Sequence, residues 1–412
     1  MFKTSIVSIG NELISGQTLD TNAAYLSQNL LFLGIPTVSF HTVGDESSAV
    51  VRALDLAAAD ADIVIATGGL GPTDDDLTRQ AFADFLEVGL VLHEDLLNQI
   101  AEFFSHRQLQ MPLINRIQAY IPLGSDAIAN TLGTAPGIMA RKQGRLLFAL
   151  PGVPSEMKQM FQESVIPQLH QFAMKQAVVV KKLKCFGAGE SAIADMLGLM
   201  MQRGRNPLVN CTVDFGVVTF SIVASADNFA DAEKMAQQDE RTLRDILGNL
   251  VYGTGEQTLA YVVGEELARQ GKTLAVAESC TGGTLAKLLT DVPGASKYFT
   301  SGWVTYNNHA KITQLGVDAG LIQKHGAVSE QVAEAMSRGA RANAQTDFAV
   351  AITGIAGPTG GTEQKPVGLV YISVDYNRGT DTQRFIFSHD RAFIRLRTAQ
   401  TALNMLRLKL RV

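Results

Sequence analysis

The chain has 412 residues, enough for two to four domains, and its composition (46% hydrophobic, 18% charged) is typical of a globular protein with buried cores. A formal net charge of -5 disfavours a protein whose main role is to neutralise nucleic-acid phosphates, although a nucleotide remains an acceptable small substrate. Three scattered cysteines predict no disulfide framework and no metal cage, which suits a reducing compartment. With no basic leader and no apolar run of about 18 residues, we expect a soluble cytoplasmic protein without a membrane partner.

The first 170 residues alternate between strand and helix patterns. Apolar runs over Thr4 to Ile9 and Asp62 to Ala66 predict buried strands, whereas Asp20 to Leu33 and Leu77 to Leu86 carry apolar residues at helical spacing. This alternation predicts a three-layer α/β domain. In such sheets ligands collect beyond the carboxyl ends of the strands, so the polar segments that follow the strands are the candidate site.

Three polar segments of this domain follow predicted strands: GNE at 10–12, TGGLGPTDDDLT at 67–78 and PGVPSE at 151–156. Their glycines allow the backbone to approach a phosphate closely. The acidic trio Asp74, Asp75 and Asp76 is expected to open a helix, where negative charge is favourable. Alternatively, a hard cation reconciles these acids with a bound phosphate, and the candidate ligands are then Asp75 and Asp76, with Glu156 as a weaker third.

The segments 10–26, 42–45 (TVGD), 67–78, 132–137 (LGTAPG) and 150–157 (LPGVPSEM) resemble the N-terminal domain of the competence/damage-inducible protein CinA family, which has the molybdopterin-binding MoaB/Mog fold. The resemblance implies an ADP-ribose pyrophosphatase that depends on a divalent metal ion (Co or Mg) and on potassium. Molybdenum-cofactor proteins carry a threonine where this chain has Leu70, a departure that disfavours pterin binding. The substrate-binding residues implied are Glu12, Gly68, Gly69, Gly71, Thr73 and Thr134.

Residues 178 to 252 predict a small α+β module. Strands are expected near Val178 to Phe186 and over Thr219 to Ala224, and helices over Ser191 to Met201 and Ala230 to Leu247. In the family this module is similar to a KH-like domain. The chain has no Gly-x-x-Gly clamp there and its basic residues are offset by acids, so we expect no nucleic-acid partner, and a spacer or dimer-forming role that would make the protein a homodimer. The segment Tyr252 to Glu256 is predicted to be the last linker.

The C-terminal third is organised around TLAVAESCTGG at 273–283. Thr273 to Ala277 predicts a buried strand and the residues from Thr284 onward predict a helix, which places Ser279 on the turn between them. Backbone N–H groups and the helix dipole there could stabilise an oxyanion if the Ser279 hydroxyl attacks a carbonyl. The alternative is that Ser279 or Thr281 serves only as a helix N-cap.

A serine nucleophile needs a proton acceptor, and the histidines of this region share no pattern. Tyr306 and Lys311 lie where a predicted strand runs into a helix starting near Asn308, so both are expected at one rim. Lysine acts as a base only if its surroundings lower its pKa. The alternative is a half-buried tyrosine beside a solvated lysine.

The loop from Gly354 to Gly368 is long and glycine-rich, which is typical of a functional loop. Thr353, Gly357 and Gly360 could bind a substrate phosphate, as could Arg391 at the start of a predicted helix running to Leu410. The alternatives are a flexible surface loop and a solvated arginine.

The segments AESCTGG (277–283), VTYNNHAK (304–311), HGAVSE (325–330), 352–368 and HDR (389–391) together resemble the nicotinamide-nucleotide amidohydrolase domain of the same CinA family. The resemblance implies hydrolysis of nicotinamide mononucleotide to nicotinate mononucleotide and ammonia without a cofactor. Ser279 is then the nucleophile, and Lys311 and Tyr306 transfer protons. The substrate-binding residues expected are Thr281, Gly282, Gly283, Thr353, Gly354, Gly357, Gly360 and Arg391.

The sequence patterns predict an α/β protein, and the resemblance to the CinA family implies an enzyme with three domains, a MoaB/Mog-like domain at 1–172, a KH-like domain at 178–252 and an amidohydrolase domain at 256–412. Its two sites would act separately on the small nucleotides nicotinamide mononucleotide and ADP-ribose, as in pyridine-nucleotide recycling. The rival hypothesis is a non-catalytic protein whose first domain binds molybdopterin or a partner and whose last domain is a scaffold.

Overall fold

The computed structural model describes residues 2–170 and 177–410, so the predicted domain bounds at 1, 172 and 412 lie outside the described residues. The chain divides into two compact units, one of Met1–Val179 with Ala224–Lys234 and one of Val180–Val223 with Met235–Val412. Within the described ranges, no helix is both long and apolar enough to cross a membrane.

A six-stranded mixed sheet forms the centre of the first unit, in the order β2-β1-β3-β8-β7-β6. The strands of this unit are β1 (Thr4–Ile9), β2 (Thr37–Val43), β3 (Ile63–Thr67), β4 (Leu90–Leu92), β5 (Tyr120–Pro122), β6 (Asp126–Ile128), β7 (Gly137–Lys142) and β8 (Arg145–Leu150). Its helices are α1 (Asn11–Ile14), α2 (Thr21–Phe32), α3 (Ser47–Asp60), α4 (Thr78–Leu86), α5 (Glu94–Ser105), α6 (Pro154–Met160) and α7 (Ile166–Leu169). Strands β2, β1, β3 and β8 are parallel, and β7 and β6 continue the sheet antiparallel.

Two hydrophobic cores lie on opposite faces of this sheet. Ile6 of β1 packs in a core with Leu26 of α2 and Met157 of α6, whereas its neighbour Val7 packs in a core with Phe82 of α4. Successive side chains of a strand point to opposite faces, so helices cover both sides of the sheet. This arrangement confirms the predicted three-layer α/β fold.

The KH-like module has four strands rather than the two predicted. Its elements are β9 (Ala177–Cys185), α8 (Glu190–Leu197), β10 (Leu208–Asp214), β11 (Val217–Ala226), α9 (Phe229–Leu247) and β12 (Val251–Thr254), with the strands in the order β10-β11-β9-β12. The predicted linker at Tyr252 to Glu256 is only partly correct, because its first three residues belong to β12, where Gly253 and Thr254 pair with β9, and only its last two form a turn. Strand β10 was not predicted, although Val209, Cys211 and Val213 alternate there with polar residues; it lies at the edge of the sheet and most of its side chains are partly or fully exposed.

The C-terminal domain contains a five-stranded sheet in the order β14-β13-β15-β16-β17. Its strands are β13 (Leu274–Glu278), β14 (Phe299–Val304), β15 (Phe348–Gly354), β16 (Leu369–Tyr376) and β17 (Gly379–Ile386). Its helices are α10 (Leu259–Gln270), α11 (Thr284–Thr290), α12 (Asn308–Leu315), α13 (Ala319–His325), α14 (Glu330–Ala344) and α15 (Arg391–Leu410).

Strand β13 is the central strand that positions the C-terminal site. It runs parallel to both β14 and β15, so all three strands end at one edge of the sheet. Val276 of β13 packs with helices α10 and α15, and Ala277 packs on the opposite face with Met336 of α14. The chain emerging from β13, β14 and β15 therefore places Ser279, Thr305 and the loop after Gly354 close together.

Two candidate active sites

Ser279 and Lys311 meet in the buried interior of the C-terminal domain. The Lys311 side chain is only 1% exposed, and its Nζ donates to Ser279 Oγ at 3.0 Å and to the Thr305 carbonyl oxygen at 2.7 Å. Lys311 lies in the first turn of α12, which begins where the Asn307 side chain accepts from the Ala310 N–H. Burial lowers the pKa of Lys311 from 10.5 to about 8. The predicted serine–lysine pair is thus within hydrogen-bond distance, and its lysine is not solvated.

The turn after β13 is held by a buried carboxylate that the sequence did not reveal as part of the site. Glu278 is fully buried and accepts from the N–H groups of Gly283, Leu285 and Ala286 at 2.8–3.1 Å. The N-cap of α11 is Gly283, which excludes Ser279 and Thr281 as capping residues. It also corrects the expectation that the helix N–H groups face an oxyanion, because Glu278 already occupies them.

The backbone N–H groups of the turn that remain free follow Ser279 directly in the chain. The Ser279 N–H donates to the Ile352 carbonyl oxygen at 3.0 Å, and the Gly282 N–H donates to the Ser279 carbonyl oxygen at 3.1 Å. Among residues 279–286 of the described chain, the N–H groups of Cys280 and Thr281 are the two with no protein acceptor. These two groups are the donors that an oxyanion could use.

Arg395 of α15 supports the same turn from outside and was missed by sequence reasoning. Its Nε and Nη2 donate to the Thr281 carbonyl oxygen at 3.0 and 2.7 Å, and its Nη2 also donates to Thr284 Oγ1 at 3.2 Å. The Thr281 hydroxyl itself is buried without a hydrogen-bond partner in the described part of the chain. Gly282 and Gly283 adopt positive φ angles of 57° and 93°, which glycine tolerates without strain.

Tyr306 and Arg391 form a second polar group of this domain. Arg391 donates through Nη2 to the Tyr306 hydroxyl and through Nη1 to the Gly357 carbonyl oxygen, both at 2.7 Å. Tyr306 is 58% exposed, and no hydrogen bond of the described residues joins it to Ser279 or Lys311. The structure thus places the predicted proton-transfer tyrosine with the predicted phosphate-binding arginine.

The loop after Gly354 is anchored at both ends. The Thr353 hydroxyl donates to the Ala327 carbonyl oxygen at 2.8 Å, so this predicted phosphate ligand is already engaged. Lys365 Nζ donates to the carbonyl oxygens of His325 and Val328, each at 2.7 Å. Between these anchors, Gly360 is exposed with a φ of 88°. Gly354 belongs to β15, where an added Cβ would collide with β16.

The N-terminal unit has an acidic cleft of about 420 Å³ at the carboxyl ends of β1, β3 and β8. Five carboxylates line it, and in the described part of the chain no lysine, arginine or histidine does; the acids are Glu12, Asp45, Asp75, Asp76 and Glu156. Burial raises the pKa of Asp45, and the nearby negative charges of Glu12, Asp75 and Asp76 raise it further against an opposing hydrogen bond from the Asn11 N–H. Asp45 was not predicted as a site residue.

The Asp76 carboxylate binds the backbone at the end of the glycine-rich segment that lines this cleft. Its carboxylate accepts from the N–H groups of Gly71 and Thr73, at 2.7 and 2.9 Å, and from the Thr73 hydroxyl. Helix α4 begins only at Thr78 and has no side-chain cap. The acidic trio therefore precedes the helix and does not cap it, which corrects the expectation from the sequence. At Gly68 an added Cβ would collide with the carbonyl oxygen of Ile9, so glycine is required there.

Glu156 approaches the cleft from the first turn of α6. Its Oε2 accepts from Asn130 Nδ2 at 2.8 Å, and an added Cβ at Gly133 would collide with its carboxylate. Asp75, Asp76 and Glu156 all line the cleft, but within residues 2–170 and 177–410 no three His, Cys, Asp or Glu side chains are grouped as metal ligands. The oxygen donors suit a hard divalent cation, although the predicted ligands are not already assembled.

Comparison with known proteins matches each part of the chain to a family model. Residues 5–171 match a probable molybdopterin binding domain, residues 180–253 the damage-inducible protein CinA KH domain and residues 256–410 the CinA C-terminal domain. A putative competence-damage inducible protein of Caldicellulosiruptor bescii is 42% identical over 405 residues, which cover 98% of each chain. The chain belongs to the CinA family.

Two further CinA proteins are similar to this chain, one over almost its whole length and one over a part of it. A CinA-like protein of Dictyoglomus thermophilum is 42% identical over 406 residues, again covering 98% of each chain. A solved structure of the competence/damage inducible protein CihA from Agrobacterium tumefaciens is 41% identical, covers 37% of this chain and 94% of its own, and has a TM-score of 0.37. The predicted CinA membership, with MoaB/Mog-like, KH-like and C-terminal CinA domains, is confirmed.

Proposed function

We propose that the C-terminal domain of this CinA protein hydrolyses the carboxamide of nicotinamide mononucleotide, with Ser279 as the nucleophile. The observation that carries the proposal is the distance of 3.0 Å between Lys311 Nζ and Ser279 Oγ at a buried position. A lysine with a pKa of about 8 is partly neutral near physiological pH and can accept a proton. The proposal is supported by the Ser279 hydroxyl, the Lys311 amine and the free N–H groups of Cys280 and Thr281, which can serve as the nucleophile, base and oxyanion donors that amide cleavage needs.

In the first half of the reaction, neutral Lys311 accepts the proton of Ser279 as Oγ attacks the amide carbon. The N–H groups of Cys280 and Thr281 then stabilise the oxyanion of the tetrahedral intermediate. When the intermediate collapses, the carbon–nitrogen bond breaks and Lys311 returns the proton to the departing ammonia. The product of this half is an ester between Ser279 and the nicotinate group.

In the second half, Lys311 accepts a proton from a water molecule that attacks the ester carbon. Collapse of the second intermediate breaks the bond to Ser279 Oγ, which regains its proton from Lys311. The hydrogen bond from Nζ to the Thr305 carbonyl oxygen, 2.7 Å long, orients the amine in both halves. We infer that Arg391, which donates to the Gly357 carbonyl oxygen, and the glycine loop after Gly354 bind the 5′-phosphate.

The test is ammonia release from nicotinamide mononucleotide by the purified full chain. Ser279→Ala should abolish the reaction, and Lys311→Ala should lower it at least a hundredfold, in line with typical acid–base contributions. Ser296→Ala and Lys324→Ala alter exposed residues of the same domain and serve as controls at full activity. Deamidation at near wild-type rate by folded Ser279→Ala protein would show that no covalent ester forms on this residue.

For the N-terminal unit, we infer a metal-dependent hydrolysis of the pyrophosphate bond of ADP-ribose. The supporting observation is the cleft, to which the described residues contribute five carboxylates and no lysine, arginine or histidine side chain. Asp75, Asp76 and Glu156 would hold a divalent ion, with Asp45 and Glu12 on the same cleft. Such an ion, when bound, neutralises the charge on the phosphate oxygens. The backbone of the glycine segment 68–71 would then lie against the phosphates.

Chelation separates the two activities. EDTA should stop ADP-ribose hydrolysis and leave ammonia release almost unchanged. In the proposed C-terminal reaction, the backbone N–H groups of Cys280 and Thr281 stabilise the oxyanion, so no metal ion is needed there. Magnesium should also raise the melting temperature of the N-terminal unit, and Asp75→Asn should remove that shift without any turnover being measured. If the chain lacks both hydrolytic activities and no magnesium-dependent shift occurs, the rival hypothesis of a binding protein with a scaffold domain gains support.

A further inference from the structure

The hairpin between β10 and β11 ends in a turn whose first residue is unusual. Asp214 of β10 pairs with Val217 of β11, so the turn consists of Phe215 and Gly216 alone. Both have positive φ angles, 43° and 78°, as in a type I′ turn. Such turns favour asparagine or aspartate before the glycine, and a bulky residue with a positive φ is strained. Strain of this kind is typically retained where the side chain has a functional role.

The Phe215 ring stacks on the start of helix α15. Phe215 is 45% exposed, and its ring centroid lies 5.9 Å from that of Phe393, with 28° between the two planes. The Phe393 ring also contacts the His389 ring, with 4.5 Å between the centroids. The Phe393 N–H donates to Asp390 Oδ1 at 2.8 Å, directly before the helix begins. The hairpin ring therefore packs on the helical turn that carries Arg391.

A second contact attaches the hairpin to the same helix. Arg397 Nη1 donates to the Gly216 carbonyl oxygen at 2.7 Å, and the Arg397 guanidinium lies 4.0 Å from the centroid of the Phe186 ring. Val217, the next residue of the hairpin, packs against the core of the C-terminal domain. The turn is thus held on α15 by a hydrogen bond to Arg397 and by the Phe215 ring.

Arg391 is the functional group closest in the chain to these contacts. It is exposed, it is the first residue of α15, and it donates to the Tyr306 hydroxyl and the Gly357 carbonyl oxygen. Helices fray at their ends. An arginine that must first be ordered binds a phosphate less tightly than one already held in place. Packing of the Phe215 ring on Phe393, two residues after Arg391, opposes fraying of this turn.

We propose that Phe215 is a positioning residue of the C-terminal site, whose ring holds the first turn of α15 so that Arg391 faces the phosphate of nicotinamide mononucleotide. The proposal rests on the amide hydrolysis proposed above and deepens it, because it gives the KH-like module a role in substrate binding. Phe215 acts through Phe393 and Arg391, and not on the reacting atoms. Asparagine would suit the turn better, but it would leave the start of α15 without this ring contact.

The experiment measures ammonia release by the full chain carrying Phe215→Asn. A stacked aromatic pair contributes about 2- to 12-fold to an equilibrium constant. The phosphate is remote from the reacting carbonyl, so Arg391 stabilises the bound substrate and the transition state alike. Phe215→Asn should therefore raise KM at least twofold with kcat unchanged. Asparagine suits the type I′ turn, so the melting temperature should not fall. A merely structural role would give a lower melting temperature with an unchanged KM.

Three matched variants make the test specific. Phe215→Tyr keeps the ring and should restore the wild-type KM. Val213→Thr alters a residue of the same hairpin that is also 45% exposed, and it should leave KM unchanged. In an Arg391→Ala background, Phe215→Asn should raise KM no further, because the arginine that it positions is already absent.

Binding to Ser279→Ala protein, measured by calorimetry with nicotinamide mononucleotide, separates this role from the reaction on which it rests. If wild-type protein releases ammonia while Phe215→Asn leaves KM unchanged, or raises it equally in the Arg391→Ala background, the positioning role is refuted and the reaction stands. If wild-type protein releases no ammonia but Phe215→Asn raises the Kd for the nucleotide at least twofold, the positioning role stands and the reaction is refuted.

Discussion

The buried amine of Lys311 predicts a specific pH dependence of amide hydrolysis. An ordinary lysine with a pKa of 10.5 is neutral in about one molecule in 3,000 at pH 7, whereas a pKa of about 8 leaves about one molecule in eleven neutral. Burial therefore enlarges the fraction of competent base about 300-fold. Because the neutral amine is the active form, kcat/KM for nicotinamide mononucleotide should rise about tenfold between pH 7 and pH 9 and then become constant.

The assay is continuous ammonia release from pH 6 to pH 10.5 at subsaturating substrate. Lys311→Ala should remove the rising limb together with most of the rate, and Lys324→Ala should keep both. A rate that continues to rise toward pH 10.5, or one independent of pH above 7, would refute the reasoning. The first result would mean that Lys311 titrates as a solvated amine, and the second that another group removes the proton from Ser279.

Substitutions at three further residues test the groups that support the two sites. Arg395→Ala should lower kcat for ammonia release at least tenfold with little change in KM, and Arg395→Lys should restore only part of it; an unchanged kcat would make this arginine dispensable. Glu278→Ala should leave three N–H groups without an acceptor and lower the melting temperature of its unit by about 5–10 °C in calorimetry, whereas an unchanged transition would contradict its anchoring role. Asp76→Ala should stop ADP-ribose hydrolysis and leave ammonia release intact, and a loss of both activities would contradict the independence of the sites.

Several strands and helices could be predicted because the spacing of apolar residues within each segment indicates its secondary structure. Strand β1 and helix α15 were predicted with the bounds that the structure has, Thr4–Ile9 and Arg391–Leu410. In each case the apolar residues keep the spacing of a single type of element, and that spacing stops where the element ends. Ser279 and Lys311 were also predictable as neighbours, because each follows one of two parallel strands that end at the same edge.

The rest of the C-terminal site depends on contacts that no local pattern carries. Arg395 reaches the Thr281 carbonyl oxygen across 114 residues of chain. Glu278 ends a buried strand, and only the folded turn shows that its carboxylate satisfies three N–H groups. Strand β12 was missed for a related reason, since four residues containing a glycine are stabilised by pairing with β9 and not by their own propensity.

Cys280, next to Ser279, adds no oxidation-sensitive group to the proposed site. Its thiol is buried, and burial raises its pKa to about 12, so it stays protonated at any physiological pH. Thiolates, and not thiols, react with peroxides and alkylating agents. If Ser279 is the nucleophile, as proposed, the reaction should continue under oxidative stress that inactivates enzymes with a cysteine nucleophile.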